Sequence, residues 1–348
     1  MSKLKMKIIF VYPRMAPFIS LDKEILSEKF EVIENTYDWK KKYKLPLYLV
    51  MQLFFLLKNI SKVDYILVSF GGYWALLPSI LGYLFKKPTL IIMHGTDCAG
   101  FKEINYGSFR KPILGAVLKT SYKFATRLLP VSESLIYTKN TYFKKHKEIQ
   151  QGVKHFFPKL KTEWTVVSNA VDHNEWKIDS KIERVQNMFI TVMGPGQFNL
   201  KGGNLILEAA IKCPQFEFLF IGINKPDKKT HIPPNVKFLG RMNASELMIF
   251  YNQSKYYLQL SNFEGFGVAL CEAMLCGCIP IVSNVNDLPN IIKDTGYILK
   301  TNNADLLSKL LKRIVTEKNN ELGQKARLNI INNYSVMKRK NELERILH

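Results

Sequence analysis

Short apolar runs alternate with amphipathic segments along the first half of the chain. The apolar runs predict β-strands near residues 7–12, 65–68, 89–93, 127–130 and 165–167. The intervening segments predict α-helices near residues 19–29, 74–85, 113–125 and 133–142. Apolar strands that alternate with helices are typical of a mostly parallel sheet covered on both faces. The first half is therefore predicted to be an α/β domain.

The second half repeats the pattern. Strands are predicted near residues 189–193, 216–221, 236–239, 256–260, 279–282 and 296–299. A strand ends in polar residues at Asn169-Ala170-Val171-Asp172, and a charged link follows it. The sequence thus predicts a first domain over 1–172 and a second over 173–333. A final helical segment, 334–348, comes after them.

One apolar segment stands apart from the alternation. Residues 45–57 contain a single polar residue, Gln52, and lysines precede and follow the segment. Thirteen residues are too few to span a bilayer. A helix of this kind can lie in the interface of an anionic membrane. It can equally be a core helix with a solvated, lysine-rich entry, and the sequence leaves both interpretations open.

The charge distribution sharpens the question of partners. The chain has 348 residues and a formal net charge of +21, of which +15 falls in the first 170 residues and +6 in the rest. Such a field suits anionic lipid surfaces, nucleic acid or acidic substrates. The alternative is a lysine-rich composition without a function. No basic region with interleaved aromatics matches a nucleic-acid-binding motif, so no nucleic-acid partner is expected.

Cysteine usage and the N-terminus bear on the compartment. The five cysteines lie in apolar contexts without paired zinc-ligand spacing, which predicts reduced, buried thiols. The basic start is followed by an apolar run of six residues, which predicts a first strand and not a signal peptide. A cytoplasmic protein is expected, with a peripheral position on the inner face of the cytoplasmic membrane left open.

The stretch 261–283 contains the densest candidate chemistry. A strand, a loop with Gly265 and Gly267, a short apolar helix from Val268 and another strand form a predicted βαβ unit. Such a loop points the free N–H groups of the helix at a ligand, typically an anion. Glu264 precedes the glycines. Glu272 lies within the apolar helix, where a carboxylate needs hydrogen-bond donors such as ligand hydroxyls.

The two glutamates have seven residues between them, with GFG after the first and an AM-x-C-G-x-P-x-V tail. This pattern resembles the family 4 retaining glycosyltransferases (glycosyl transferases group 1). The resemblance implies the GT-B architecture, an α/β fold of two Rossmann-like domains facing each other across a cleft. It also implies that the final helix packs back on the first domain. The alternative is a surface glutamate and a turn glutamate on an unrelated βαβ unit.

The resemblance implies a nucleotide-sugar donor on the second domain and a saccharide or lipid-linked acceptor on the first. Glu272 would accept hydrogen bonds from the ribose, Glu264 would face the donor sugar, and Lys201 would neutralise the departing diphosphate. His94 would position the sugar. The remaining donor-binding candidates are residues of the two glycine loops: Gly194, Gly196, Gly265, Phe266, Gly267 and Val268.

Lys201 and His94 also stand out from their context alone. Lys201 lies beside Gly202 and Gly203 at a predicted helix start, which suits a diphosphate. The family carries an arginine some residues earlier, within a position equivalent to 194–197, and this chain has none there. Lys201 alone, helix N-termini, or a cation such as Arg241 or Lys225 would have to compensate.

His94-Gly95-Thr96-Asp97 follows a predicted strand, at the edge where open α/β sheets bind ligands. The stretch resembles the family's HG-x-D. Asp97 is a candidate for the acceptor side, with a turn or cap residue as the alternative. Gly71 and Gly72 are candidates for the same side, with a plain βα turn as the alternative.

The predicted function is retaining transfer of a hexose in the synthesis of bacterial-type surface polysaccharide, lipopolysaccharide or glycolipid. No D-x-D cluster is present, so a metal-free reaction without a cofactor is expected. Three alternatives remain: a nucleotide-sugar epimerase of the same fold, a catalytically degenerate nucleotide-binding protein, and a polyanion-binding protein.

Overall fold

The computed structural model describes residues 5–144, 147–225 and 231–347. The chain divides into two compact units. Unit 1 comprises Met1–Thr138, Gln150–Asn169 and Arg339–His348, and unit 2 comprises Lys139–Ile149 and Ala170–Lys338.

Unit 1 is built on a five-stranded parallel sheet. Its strands are β1 (Met6–Val11), β2 (Phe30–Asn35), β3 (Tyr65–Ser69), β4 (Thr89–Met93) and β5 (Arg127–Pro130), in the order β2-β1-β3-β4-β5. Its helices are α1 (Pro17–Lys29), α2 (Leu45–Asn59), α3 (Tyr73–Leu84), α4 (Pro112–Phe124) and α5 (Val153–Phe156). Short 3₁₀ turns occupy Lys42–Lys44, Ile60–Lys62, Lys102–Ile104, Ser108–Arg110 and Glu133–Leu135. The central strands are buried almost throughout, because helices cover both faces.

A two-stranded hairpin, β6 (Thr138–Lys144) and β7 (Lys147–Gln151), comes next in the chain. Unit 2 then carries a six-stranded parallel sheet in the order β10-β9-β8-β11-β12-β13. Its strands are β8 (Val185–Val192), β9 (Glu217–Ile221), β10 (Val236–Leu239), β11 (Ser254–Gln259), β12 (Ile279–Ser283) and β13 (Tyr297–Leu299). Its helices are α6 (Gly203–Lys212), α7 (Ala244–Gln253), α8 (Val268–Leu275), α9 (Leu288–Ile292), α10 (Ala304–Thr316) and α11 (Leu322–Asn333). The last helix, α12 (Val336–Ile346), begins in unit 2 and ends in unit 1.

Two predicted elements were wrong. The helix predicted over 133–142 is a 3₁₀ turn followed by β6, because threonines and aromatics there favour extended chain. Residues 165–167 run along β5, with the Thr165 N–H donating to Leu128 O at 3.0 Å, but they form no named strand. β2 and the hairpin were not anticipated.

The hairpin also explains the difference from the predicted domain bounds. Tyr142 is fully buried in the core of unit 2, and its carbonyl accepts from the Asn302 N–H at 3.0 Å. The Asn140 side chain donates to Asn262 O at 2.6 Å. Residues 139–149 therefore belong to unit 2, although they lie inside the predicted first domain, 1–172.

The other bounds differ by a few residues. Unit 2 resumes at Ala170, and the chain returns to unit 1 at Arg339, where the prediction had 173 and 334. The prediction of reduced, buried cysteines is confirmed: Cys98, Cys213, Cys271, Cys276 and Cys278 are all free and buried.

Candidate active site

The sheet order of unit 2 reverses direction at β8. The chain moves from β8 to β9 and β10 on one side, then returns to β11 on the other side of β8. Ligands bind open α/β sheets outside the carboxyl ends of the strands at such a switch point. Here the loops after β8 and β11 are joined, since Asn262 donates from its backbone to Leu200 O (2.8 Å) and from its side chain to Asn199 O (2.7 Å).

Glycines allow these two loops to approach each other. Gly202 has φ +74°, and a Cβ there would lie 2.2 Å from Leu260 O. A Cβ on Gly203 would lie 2.4 Å from the Phe198 ring. The close approach places Lys201, which precedes the two glycines, against the loop that carries Glu264.

Lys201 and Glu264 form an ion pair at this position. Lys201 Nζ lies 2.6 Å from Glu264 Oε2, and the two side chains are only 14% and 12% exposed. The same oxygen accepts from Gln259 Nε2 at 2.6 Å and from Ser261 Oγ at 2.9 Å. The backbone N–H of Glu264 donates to Asn286 Oδ1 at 3.1 Å. The carboxylate is thus held in one orientation by three donors before any ligand arrives.

The helix α8 begins directly after this pair. Gly267 precedes its first residue, Val268, with φ +105°, and none of the described side chains caps the helix. The N–H groups of the first turn are therefore available to an anion or to ligand oxygens. The side chain of Phe266 is 4% exposed and packs edge-on against Tyr334, with ring centroids 5.2 Å apart. A role of Phe266 towards a ligand is accordingly limited to its backbone.

Glu272 lies on α8, one turn further on. Burial, and secondarily the negative charge of Glu175, raise the pKa of Glu272 to about 7, and a hydrogen bond from Tyr251 opposes part of the rise. That bond joins Tyr251 OH to Glu272 Oε2 at 3.4 Å. Among the described residues this long bond is the hydrogen bond that the Glu272 carboxylate accepts, and hydroxyl donors from a ligand would stabilise its charged form.

The loop after β8 closes on itself where the resemblance implies an arginine. Gln197 Oε1 accepts from the Gly194 N–H at 2.8 Å, and the Gln197 N–H donates to Gly194 O at 3.0 Å. Gly196 has φ +76°, with no atom within 4 Å of a Cβ built on it, so the loop tip is open. Gln197 therefore shapes this loop without supplying a positive charge.

Arg241 lies on the same edge of the sheet as Lys201. It follows β10, two strands from β8 and so roughly 10 Å away across the sheet. Its side chain is exposed, and the loops after β9 and β10 are joined by a bond from the Gly222 N–H to Gly240 O at 2.7 Å.

In unit 1, His94 follows β4 and is held between two aromatic rings. Its ring centroid lies 4.2 Å from that of Phe70 and 4.8 Å from that of Phe18. His94 Nε2 lies 3.0 Å from Ser69 Oγ, and Nδ1 has no hydrogen-bond partner among the described residues. Burial, and secondarily the positive charge of Arg339, lower the pKa of His94 well below its ordinary value. The imidazole is consequently neutral, with one ring nitrogen unused.

Asp97 departs from its expected place on the acceptor side. It is 1% exposed, and its carboxylate accepts from the N–H groups of His94, Gly95 and Gly71 at 3.1, 3.0 and 2.8 Å. Tyr122 OH donates to it as well, at 3.3 Å. These contacts fix the turn after β4 against the turn after β3, which is a positioning role.

Gly71 and Gly72 likewise serve packing. A Cβ on Gly71 would lie 2.3 Å from the Tyr122 hydroxyl, and one on Gly72 would lie 2.4 Å from the Trp74 ring. Both glycines are buried. The plain βα turn, the alternative interpretation of the sequence, fits these contacts.

Three residues of the unit 2 site were not singled out from the sequence. Gln259 and Ser261 hold Glu264, and Asn286 binds its backbone. The sequence did contain an indication of Gln259 and Ser261. Both are polar in an otherwise apolar run, and residues two apart lie on the same face of an extended strand. Asn286 comes from the next loop, with φ +50°, and carried no comparable signal.

The described residues contain neither a metal-binding cluster nor a membrane-spanning helix. Among residues 5–144, 147–225 and 231–347, no group of three or more His, Cys, Asp or Glu side chains is arranged to hold a metal ion. No helix in those ranges is long and apolar enough to cross a membrane.

Comparisons with known proteins identify a matching family and similar folds. The family model of glycosyl transferases group 1 matches residues 174–333. The O-antigen chain mannosyltransferase B of Escherichia coli is 33% identical over 73 residues, which cover 21% of this chain and 19% of that protein. The N-acetyl-alpha-D-glucosaminyl L-malate synthase of Bacillus anthracis is 34% identical over 128 residues, 35% of this chain and 32% of that protein. The chain thus matches between a fifth and a third of the length of these relatives.

Similarity in structure extends over nearly the whole chain. Anabaena HepE, solved in complex with UDP-glucose, superposes with a TM-score of 0.71 at 14% identity, covering 98% of this chain and 99% of HepE. At this identity the likeness establishes the fold. Residues 174–333 match the glycosyl transferases group 1 family, and the two parallel-sheet units have the GT-B architecture.

Proposed function

We propose that this protein is a retaining glycosyltransferase that moves a sugar from a nucleoside diphosphate donor to a saccharide or lipid-linked acceptor. The observation that carries the proposal is the largely buried Lys201–Glu264 pair, 14% and 12% exposed, beside the uncapped N-terminus of α8. A cation, free helix N–H groups and an oriented carboxylate suit a diphosphate joined to a polyhydroxylated ring.

Each group of unit 2 then has a defined task. Lys201 and the first-turn N–H groups of α8 carry the charge that develops on the leaving diphosphate. The carboxylate of Glu264, fixed by Gln259 and Ser261, accepts hydrogen bonds from the donor sugar. Glu272 accepts from the ribose hydroxyls. These protein groups supply the positive charge in our proposal, so magnesium is not required.

Retention follows from attack on the same face that the diphosphate leaves. The bond between the anomeric carbon and the phosphate oxygen breaks, and a bond to the acceptor oxygen forms. The acceptor's proton passes to the departing phosphate. The neutral His94 helps to position the donor sugar and moves no proton in this scheme. Catalysis is then mainly positioning and charge stabilisation.

The relatives guide the choice of donor and acceptor. The mannosyltransferase named above favours a mannose donor, and HepE is a protein of the same fold solved with UDP-glucose. A growing surface polysaccharide or a lipid-linked saccharide is the proposed acceptor. Both classes place the reaction at the cytoplasmic face of a membrane, where lipid-linked intermediates are presented.

The test is a panel of nucleoside diphosphates and nucleotide sugars, with GDP-mannose and UDP-glucose first, measured with and without magnesium. One donor at a hundred times its Kd is expected to stabilise the protein by about 2.7 kcal/mol, independently of magnesium. Sugar transfer to an acceptor with retained anomeric configuration completes the result. Isomerisation of the donor without an acceptor would instead identify an epimerase, and the absence of any stabilisation would overturn the proposal.

Glu272→Gln is the matched variant for that panel. Only the carboxylate accepts from two ribose hydroxyls, so wild-type affinity is expected to fall by up to about tenfold per pH unit below 7. The variant should bind weakly and without this pH dependence.

Glu272→Gln should also change the stability of the protein. Because the folded state holds the Glu272 proton more tightly than the unfolded chain does, the charge on Glu272 destabilises the folded protein above pH 7. The variant should therefore be more stable at pH 8, by roughly 1–3 kcal/mol.

The second part of our proposal concerns the membrane and rests on the orientation of α2. Its single polar side chain, Gln52, is fully buried and donates to Asn35 Oδ1 at 2.9 Å and to Trp74 O at 3.1 Å. The outward side is apolar: Leu47, Val50, Met51, Phe54 and Leu57 are 44–68% exposed. These five residues, termed here the α2 face, recur at helical spacing. A helix that buries its polar residue and exposes its leucines needs an apolar partner.

The positive charges around the α2 face indicate an apolar partner that is also anionic. Lys40, Lys42, Lys58 and Lys62 are exposed at the two ends of the helix. Among the described residues, none of these four lysines has a salt bridge to a carboxylate. An apolar face flanked by basic side chains matches the acyl boundary and headgroups of an anionic bilayer. We therefore propose that α2 docks unit 1 on anionic lipid.

This docking predicts a specific pattern of vesicle binding. Wild-type protein should sediment with vesicles that contain phosphatidylglycerol and much less with pure phosphatidylcholine. Lys40→Gln combined with Lys42→Gln should weaken binding by roughly 30-fold, at about 1 kcal/mol per lysine near the surface. Leu47→Gln combined with Phe54→Gln should abolish it without unfolding the protein, because both side chains are already exposed.

The control is Ile211→Gln combined with Leu328→Gln, which removes two side chains, each 56% exposed, from unit 2. This variant should bind as wild type does. If the unit 2 control lost as much vesicle binding as the variant with Leu47→Gln and Phe54→Gln, α2 would not be the membrane-binding element. A lipid-free dimer that the α2 variants dissociate would instead show that a second copy covers the face.

A further inference from the structure

Unit 2 contains a cavity at the end of its sheet opposite to the candidate active site. The cavity has a volume of about 290 Å³ and is lined by Ile178, Arg184, Gln186, Lys255, Gly277, Ile279, Asn320, Gly323 and Gln324. Lys255 is the second residue of β11, and Ile279 is the first of β12. The parallel strands run from this cavity to the Glu264 edge, so the two ends are roughly 13 Å or more apart.

Lys255 is a buried cation whose hydrogen-bond acceptors are side-chain amide oxygens. It is 7% exposed, and Nζ donates to two amide oxygens, Gln186 Oε1 at 2.7 Å and Asn320 Oδ1 at 3.4 Å. Among the described residues no carboxylate forms a salt bridge with it. Burial lowers the pKa of Lys255, which is the expected cost of a desolvated, unpaired ammonium group.

Arg184 adds a second positive charge to the same cavity. Its guanidinium donates to the backbone oxygens of Ser254 (2.7 Å) and Tyr251 (3.5 Å), and also to Cys276 O. No carboxylate of the described part of the chain pairs with it. A Cβ on Gly277, which has φ +81°, would lie 2.8 Å from Arg184 Nη2, so glycine leaves this wall open.

The helix α11 directs its N-terminus into the cavity. Gly323 and Gln324 belong to its first turn and line the cavity, and no side chain in the described part of the chain caps this end. Their N–H groups precede the helix's own hydrogen bonds and carry its positive partial charge. A Cβ on Gly323 would lie 2.3 Å from Gly277 O, so the close approach of α11 depends on this glycine.

From this juxtaposition we infer that the cavity lined by Arg184, Lys255 and the first turn of α11 is a binding site for a small phosphate-bearing anion, separate from the donor site. An anion there would receive an ammonium, a guanidinium and helix N–H groups, and would supply the negative charge that the cavity lacks. The volume lies at the lower end of small-molecule sites, which fits inorganic phosphate or a short phosphate monoester.

The experiment compares anion-dependent stabilisation in four full-length proteins. The probes are inorganic phosphate and glycerol 3-phosphate, against chloride at equal ionic strength. Wild-type protein is expected to gain stability with phosphate, saturably. Gln324→Glu puts a carboxylate on the cavity wall without removing a buried contact, and Asn320→Asp gives Lys255 a partner carboxylate. Each should weaken phosphate binding at least tenfold while the protein stays folded.

Lys325→Gln is the matched control. It lies one residue from Gln324 on α11, is exposed, and pairs with Glu321 outside the cavity. It lowers the net charge by one, as Gln324→Glu does, and should leave phosphate binding unchanged. Equal stabilisation in all four proteins would place phosphate elsewhere, including the donor edge, and would overturn the inference. The absence of stabilisation in the wild-type protein would overturn it as well. A larger effect of glycerol 3-phosphate than of phosphate would identify a monoester as the ligand.

Discussion

Lys201→Ala is expected to lower kcat for sugar transfer by about 10²–10³-fold, the usual effect of removing one preorganised charge-stabilising group. Lys201 Nζ is the cation that contacts the Glu264 carboxylate at the carboxyl edge of the unit 2 sheet. Negative charge builds up on the diphosphate as it leaves, so the loss should fall on kcat more than on KM. Steady-state kinetics with the best donor of the panel measures both.

The fold should tolerate this change. Gln259 and Ser261 still donate to Glu264 when Lys201 is absent, so its carboxylate is not stranded. Lys293→Ala, an exposed lysine elsewhere in unit 2, is the control for the lost charge and should keep full turnover. If Lys201→Ala turned over as fast as the control, the leaving-group role would pass to other groups. Arg241→Ala would then be the variant to measure.

The sequence was informative where a local pattern is tied to one backbone geometry. Alternating apolar runs located ten strands of the two parallel sheets to within a few residues. The glycines around Lys201 and Glu264 mark close approaches that the structure contains, such as the 2.2 Å that would separate a Gly202 Cβ from Leu260 O. Such patterns depend on the local backbone conformation, which can be inferred from a single sequence.

Contacts between distant segments were not readable in this way. The segment 133–142 was predicted to be helical because nothing nearby reveals that Tyr142 enters the core of unit 2. Asp97 resembled a site residue, yet its oxygens are taken by backbone N–H groups from two turns, one of them at Gly71. The direction of Gln52 on α2 was equally hidden, since composition alone does not say which side of an apolar helix faces the core.

The sequence resemblance and the structure together show how many fixed cations the proposed donor site contains. The resemblance implies an arginine near the loop after β8, whereas in this chain Gln197 closes that loop on the Gly194 N–H. The positive charge of the proposed donor site therefore rests on Lys201 and on the N-terminus of α8. A site with one fixed cation should be more sensitive to the loss of that cation than one with two, which makes the kinetic test decisive.

The chain returns to unit 1 at Arg339, which forms a buried ion pair there. Breaking this ion pair should lower the free energy of unfolding more than any other change proposed for this protein. Arg339 is 2% exposed and binds the fully buried Asp22 of α1 through two bonds, of 2.5 and 2.8 Å. Its third nitrogen donates to Val167 O (3.0 Å) and Ser168 O (2.6 Å). Arg339→Met leaves the Asp22 carboxylate buried and unpaired, and is expected to cost about 3–5 kcal/mol of the free energy of unfolding.

Urea denaturation followed by circular dichroism measures that loss, with two variants to separate its causes. Lys340→Met is the matched control, because the adjacent Lys340 pairs with Glu28 on the same helix α1 but at the surface. It should cost less than about 1 kcal/mol. Asp22→Leu combined with Arg339→Met removes both charges and should recover much of the stability lost in Arg339→Met alone. Equal losses in Arg339→Met and Lys340→Met would mean that α12 is anchored by its apolar contacts, among them the buried Leu343, and not by this pair.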